Sequence, residues 1–212
     1  METGTGKTYV YTKAIYELNY RYGINKFVIV VPTLAIKAGT KNFIEDGYSK
    51  RHFAADYGTE IELLTVETIK KKKGRQFFPY AVQEFVKGST TNSRKIYVLL
   101  VNMQMLNAKT LTANYDSAVE GYYNPLKAIA AANPFVIIDE AHRFSREQKA
   151  FKTIIEKIKP QCIIRFGATF PDTTIGRGKN KIVVKDYCNL IYELDACDSF
   201  NNNLIKALPK ST

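Results

Sequence analysis

The 212-residue sequence has no tryptophan, only three cysteines and two histidines. It also has no uninterrupted apolar run of the roughly 18 residues that a membrane-spanning helix needs. Cys162, Cys188 and Cys197 are odd in number, widely spaced and include no C-x-x-C pair. That argues against a disulfide framework or a zinc site and fits a reducing compartment, so the expected location is cytoplasmic. The start, Met1-Glu2-Thr3-Gly4, lacks the positive-then-apolar layout of a signal peptide. His52 lies in a basic, polar stretch with no second histidine or cysteine beside it, and reads as a surface residue. No basic amphipathic helix with aromatic anchors is evident, so no membrane partner is expected.

What is present is an ordinary globular composition, 45% hydrophobic and 24% charged, with 31 Lys and Arg against 20 Asp and Glu. Collagen-like, disordered and mucin-like classes are excluded. The net charge of +11 and a pI near 9.4 point to a phosphate-rich partner. At roughly 100 to 200 residues per domain, the length allows one large domain or two small ones.

Short β-branched runs recur at 27–31, 61–66, 96–101, 136–138 and 162–166. Runs this apolar predict strands buried on both faces, as in parallel sheets. Between them, Thr8 to Tyr20 places Val10, Ala14, Ile15 and Leu18 near one helical face. Ser145 to Ile158 does the same with Phe151, Ile154, Ile155 and Ile158, and Pro160 follows at a stopping distance. Alternating strands and helices predict an α/β fold with a mainly parallel sheet. The charge run Lys70 to Arg75 and the polar stretch Lys87 to Lys95 read as solvated surface insertions, with phosphate contact as the competing reading.

Gly4-Thr5-Gly6-Lys7-Thr8 opens the first of these helices. A phosphate loop wraps backbone N–H groups around nucleotide phosphates, and glycines keep side chains out of the way. Lys7 would reach the β and γ phosphates and the Thr8 hydroxyl would hold Mg²⁺. The full pattern asks for glycine five residues before Gly6, where Met1 stands. Further on, Phe135 to Ile138 delivers Asp139-Glu140-Ala141-His142 to a strand's carboxyl end. There Asp139 would hold Mg²⁺ through water and Glu140 would activate the water attacking the γ phosphate. Val30-Val31-Pro32-Thr33 and Gly167-Ala168-Thr169 also lie just past predicted strands, on the edge where parallel sheets bind ligands.

The order T-G-T-G-K-T, V-V-P-T, D-E-A-H and G-A-T resembles motifs I, Ia, II and III of superfamily 2 helicase-like ATPases. More narrowly, M-E-T-G-T-G-K-T-Y-V-Y with K-F-V-I-V-V-P-T-L-A-I-K resembles the restriction subunit of type III restriction-modification enzymes. The resemblance implies a P-loop, RecA-like domain over residues 1–195 lacking its first strand, with 196–212 leading to a second RecA-like domain. It implies that Thr3, Gly4, Thr5, Gly6, Lys7 and Thr8 bind ATP, with Thr8 and Asp139 on Mg²⁺ and Lys7, Asp139 and Glu140 serving hydrolysis. It further implies that His142, Gly167 and Thr169 couple nucleotide state to motion, and that Pro32, Thr33 and Lys37 lie on the nucleic-acid backbone.

The implied partners are double-stranded DNA and a modification (methyltransferase) subunit. Because the strand feeding the phosphate loop should precede it, Met1 is expected to be an internal methionine or a fragment boundary. A second motor domain should supply an arginine finger worth about 10³ to 10⁵ in rate, so this chain alone is expected to hydrolyse ATP poorly. Glu147-Gln148-Lys149 imitates a nuclease triplet, but its helical surroundings predict a solvated face. Two other readings stay open at this point: another superfamily 2 motor, such as a type I restriction motor or RNA helicase, and a hydrolytically inert nucleic-acid-binding fragment.

Overall fold

Lys26–Val31 forms strand β1, and all six of its residues are buried. The computed structural model, which describes residues 6–67, 77–88, 95–170, 172–176, 178–187, 189–193 and 198, sets β1 at the centre of a sheet. The other strands are β2 (Glu60–Thr65), β3 (Lys95–Asn102), β4 (Phe135–Ile138) and β5 (Cys162–Arg165), in the order β2-β3-β1-β4-β5. Every pairing is parallel, with Ile29 opposite Leu100 on one side and Ile137 on the other. The five apolar runs seen in the sequence thus became the five strands, each within one residue of its expected ends.

Side chains alternate across a strand, so β1 feeds two cores. Phe27, Ile29 and Val31 join Tyr11, Ile15, Tyr16, Ile44 and Phe53 on one face. That face is covered by α1 (Lys7–Tyr22), α2 (Leu34–Glu45) and α3 (Gly47–Tyr57). Val28 and Val30 join the opposite core. It is covered by α4 (Tyr80–Lys87), α5 (Met103–Leu106), α6 (Lys109–Thr112), α7 (Pro125–Ala131), α8 (Lys149–Thr153) and a π-helical turn, Ile154–Ile158. Helix ends are closed locally. The Thr33 hydroxyl accepts from the Ile36 N–H to start α2, and the Asp46 carboxylate accepts from Tyr48 and Ser49 to start α3.

Two expectations need correction. Helix α1 buries Lys7, Tyr11, Thr12, Ile15 and Tyr16, whereas Val10 is exposed. The face is rotated because tyrosines form it: the Tyr11 hydroxyl pairs with Thr40 at 2.9 Å, and Tyr16 stacks on Phe53 and Tyr57. The helix expected from Ser145 begins only at Lys149 and widens into the π turn, which leaves Ile155 exposed while Ile154 and Ile158 stay buried. A hairpin of β6 (Asp172–Ile175) and β7 (Ile182–Lys185) was not anticipated at all. No helix of the described residues is long and apolar enough to cross a membrane. Cys188, Cys197, the 68–76 part of the basic stretch, 89–94 and the expected boundary at 195 lie outside the described residues.

Lys26 opens β1 with a buried ammonium that closes the end of α4. It donates to the carbonyls of Phe85 and Gly88 and lies 5.0 and 4.5 Å from the ring centres of Phe85 and Tyr97. Carbonyls at a helix C-terminus and aromatic faces both favour a cation. Burial opposes the charge and pushes the Lys26 ammonium down from 10.5 to about 8. Between those values the unfolded chain holds the proton more firmly than the folded one, so this group makes stability rise with pH. Urea unfolding at a series of pH values is therefore expected to show wild-type stability climbing relative to Lys26→Met between pH 8 and 10.5. A pH-independent difference would show that the carbonyls and rings fully offset the desolvation.

Candidate functional site

All five strands run the same way, so their carboxyl ends share one edge. Pro32 follows β1, Asp139 follows β4 and Gly167 follows β5 within two residues. The N-terminus of α1 reaches the same edge, because the Lys7 ammonium lies 3.0 Å from Glu140 Oε1. Gly6 precedes it with φ of 79°, a left-handed conformation that a side chain would strain.

The Lys7–Glu140 pair is deeply placed, with side chains 7% and 14% exposed. It is a charge contact rather than an aligned hydrogen bond, and among the described residues the buried Lys7 Nζ has no hydrogen-bond acceptor. Glu140 has φ of 52° and ψ of 53°, so a bulky residue occupies the left-handed region. Such strain persists where the surroundings over-determine it, and here they do. The Glu140 N–H donates to Asp139 Oδ1 at 2.8 Å, its carbonyl accepts from Arg143, and its carboxylate faces Lys7 and His142. His142 Nδ1 sits 3.3 Å from Glu140 Oε2, an ion pair when the imidazole is protonated.

Asp139 is 4% exposed. Burial raises its carboxyl above the usual 3.8, and the Glu140 charge adds to that. The Glu140 N–H, Lys7 and His142 pull the other way. The loop carrying Asp139 is joined to β5: the Ala141 N–H donates to the Phe166 carbonyl at 2.7 Å, and the Phe166 N–H donates to the Ile138 carbonyl at 2.8 Å. Gly167 suits this close approach, since a Cβ there would lie a tight 3.3 Å from the Ala141 nitrogen and 3.1 Å from the Thr169 carbonyl oxygen.

The structure thus brings Lys7, Asp139, Glu140 and His142 together, with Thr8 next along α1 and Gly167 packed behind them. Thr169 is exposed at the edge of the group. Thr3, Gly4 and Thr5 lie outside the described residues. Pro32 is buried and the Thr33 hydroxyl caps α2. The Lys37 ammonium turns inward, donating to the Val66 carbonyl at 2.6 Å and facing Glu67 at 3.5 Å. Burial lowers its pKa. Glu147 and Gln148 lie in an exposed turn and Lys149 begins α8, so the nuclease-like triplet is not on a strand. Two residues that the sequence did not single out, Arg165 and Asp186, form a largely buried ion pair beside this edge. They are 21 residues apart, so no local pattern announces them.

The donor set suits a phosphate and a hard cation. A buried ammonium without an aligned acceptor fits phosphate oxygens. Among the described residues no cluster of three or more His, Cys, Asp or Glu side chains could enclose a metal by itself. One carboxylate and a hydroxyl completed by phosphate oxygens and water is the arrangement Mg²⁺ commonly takes.

The profile of the family described as "Type III restriction enzyme, res subunit" matches residues 1–172. The chain belongs to this family. It is 48% identical to the StyLTI Res subunit of Salmonella typhimurium and 44% identical to the EcoP15I Res subunit of Escherichia coli, over 98% of this chain in each case. The EcoPI Res subunit of Escherichia phage P1 is 43% identical over the same share. Those alignments cover 22%, 20% and 20% of the relatives, so the chain spans about a fifth of the Res subunits it matches. A nuclease-deletion mutant of the Type ISP restriction-modification enzyme LlaGI, solved with a DNA substrate mimic, matches with a TM-score of 0.54. It covers 96% of this chain and 18% of that one at 17% identity, which establishes a shared fold. The sheet described above is therefore part of a Res-family chain whose fold is shared with LlaGI.

The Lys7–Glu140 contact can be measured without a ligand. Either Lys7→Met or Glu140→Gln leaves a mostly buried charge without its partner, which should lower stability by about 1–3 kcal/mol. The double variant should fall short of the summed losses by about 1 kcal/mol or more in a urea-unfolding cycle. Strict additivity would mean that the two charges do not interact.

Proposed function

We propose that this chain is an ATP-binding and ATP-hydrolysing motor domain of a type III restriction enzyme, acting on double-stranded DNA. The observation that carries this reading is the buried Lys7 ammonium beside Glu140 and Asp139 at the carboxyl edge. Lys7 would move from Glu140 to the β and γ phosphates, cradled by Gly6 and, by the motif, Thr3, Gly4 and Thr5. Thr8 and Asp139 would hold Mg²⁺, which when bound neutralises charge on the phosphates. Glu140, released from Lys7, would orient the attacking water and take its proton. His142, attached to Glu140, and the Gly167–Thr169 loop, packed on Ala141, would carry the change outward.

DNA as the polymer rests on the family, on the basic charge and on the DNA mimic bound by LlaGI. Pro32 and Thr33, at the start of α2, would face its backbone. Lys37 would join them only by leaving Val66 and Glu67. In the whole enzyme the partner would be the modification (methyltransferase) subunit. The endonuclease chemistry is not assigned to the described residues.

Equilibrium binding of a non-hydrolysable ATP analogue with Mg²⁺, together with ATP turnover with and without duplex DNA, tests this reading. Lys7→Ala should weaken binding by about tenfold or more. Glu140→Gln should keep binding and lower whatever turnover the wild type shows by about 10²-fold. If neither substitution changes binding or turnover, the reading fails.

Because Mg²⁺ needs the Asp139 carboxylate, protonation competes with it. The raised Asp139 pKa means that Mg²⁺-dependent affinity should begin to fall, as pH is lowered, above the ordinary aspartate value of 3.8. Asp139→Asn should remove that pH dependence. A profile unchanged by the substitution would place the metal elsewhere.

A further inference from the structure

Asp186 follows β7 and is 2% exposed, although the strands before it are mostly solvent-facing. Its carboxylate meets two guanidiniums. Arg165 donates from Nη2 to Oδ2 at 3.1 Å, and Arg146 donates from Nε to Oδ1. Arg165 also donates through Nη1 to the Asp186 carbonyl. Its guanidinium lies 5.5 Å from the ring centre of Phe151 and 5.2 Å from that of Phe170. Tyr187 meets Phe170 edge-on at 5.5 Å.

The chain positions of these partners matter more than their number. Arg146 lies just past the 3-10 turn Ala141–Arg143 that carries His142. Arg165 ends β5, opposite Ile138, two residues before Gly167. Asp186 closes the base of the β6–β7 hairpin, where Asp172 and Lys185 also pair at 2.7 Å. One buried carboxylate therefore ties together the loop after Asp139, the strand leading into Gly167–Thr169 and the return of the hairpin. Guanidinium–carboxylate pairs are directional, and a buried one is costly to break because a charge is left unpaired. Beyond this anchored base the hairpin is a two-stranded ribbon with Ile175, Ile182 and Val183 more than half exposed. Such a ribbon has little stability of its own and is held at its root.

We infer that Asp186 is a positioning residue: through Arg146 and Arg165 it fixes the separation of the Asp139–His142 and Gly167–Thr169 loops and links both to the β6–β7 hairpin. The link to ATP rests on the function proposed above for Lys7, Asp139 and Glu140. The hairpin is thereby joined mechanically to the nucleotide residues.

Amide hydrogen exchange on the full chain tests this, with and without a saturating non-hydrolysable ATP analogue and Mg²⁺. In the wild type the analogue should slow exchange at residues 140–146 and also in β6 and β7. In Asp186→Asn at saturation, protection should be absent from β6 and β7 and weaker at 140–146 by about tenfold, the scale of an outer supporting contact. Asp186→Glu should restore part of it. Hairpin protection equal in Asp186→Asn and wild type, or absent from the wild type with analogue bound, would overturn the inference.

Should the analogue fail to bind the wild type, the nucleotide reading falls and the ligand-free arm decides this one. There, Asp186→Asn should speed exchange at 140–146 by about tenfold with β1 and β3 unchanged; equal rates would refute it. If Asp186→Asn loosens β1 and β3 as well, Arg146→Gln, at a half-exposed side chain, replaces it. That variant should speed exchange at 140–146 alone, and no change would again refute the inference.

Discussion

A strand buried on both faces can be paired and covered in few ways, and β1 imposes that restriction on everything around it. Its residues send Phe27, Ile29 and Val31 into one core and Val28 and Val30 into the other, so helices must lie on both sides. Its neighbours β3 and β4 run parallel to it, an arrangement that requires the helical connections the chain supplies. Parallel order then gathers the carboxyl ends of the five sheet strands at one edge, with loops that are free to be polar. A one-residue slip of β1 would exchange its two faces and misplace Pro32, Thr33 and, through the β4 pairing, Asp139. The position of the polar site is thus a consequence of apolar packing.

At that edge the packing also sets the electrostatics. Asp139 is held against the sheet by its own N–H on the Val30 carbonyl, which keeps its carboxylate away from water and raises its pKa. The desolvation that makes the carboxylate uncomfortable also strengthens attraction to any cation nearby. Lys7 partly answers it, but pairs with Glu140, whose backbone is left-handed. On the function proposed above, phosphate and Mg²⁺ would satisfy Lys7 and Asp139 together and leave Glu140 free of its partner. The loops that carry these residues are joined by backbone bonds, Ala141 to Phe166 and Phe166 to Ile138, in addition to the Asp186 ion pairs.

The strands, their parallel order and the cluster of Lys7, Asp139, Glu140 and His142 were legible in the sequence. Continuous β-branched runs have one common use, and the site residues lie within a few positions of those runs. What was not legible depends on partners far along the chain or on side chains of mixed character. Tyr11 and Tyr16 carry hydroxyls, so an apolar-face count passes over them. Yet Thr40 satisfies one of them and the rings stack into the core. Lys37 looks like a free cation beside Pro32 and Thr33, and only the fold reveals the Val66 carbonyl that takes it. The β6–β7 hairpin is short and rich in Thr, Gly and charge, with no alternation strong enough to mark it. Asp186 reads as one acid among many until Arg165 and Arg146 converge on it.

These buried charges alter what the net charge means. A formal +11 suggests a surface field that draws phosphate from any direction. Lys7, Lys26 and Lys37 are each no more than 7% exposed, and the Arg165 side chain is only 13% exposed. Lys26 neutralises helix-end carbonyls, Lys37 holds the end of β2, and Arg165 is spoken for by Asp186. Among the described residues Lys7 alone of these has no aligned acceptor, and it lies at the carboxyl edge of the sheet. The basic excess therefore divides into cations that brace the fold, cations on the surface, and one buried cation that the proposed function assigns to a nucleotide phosphate.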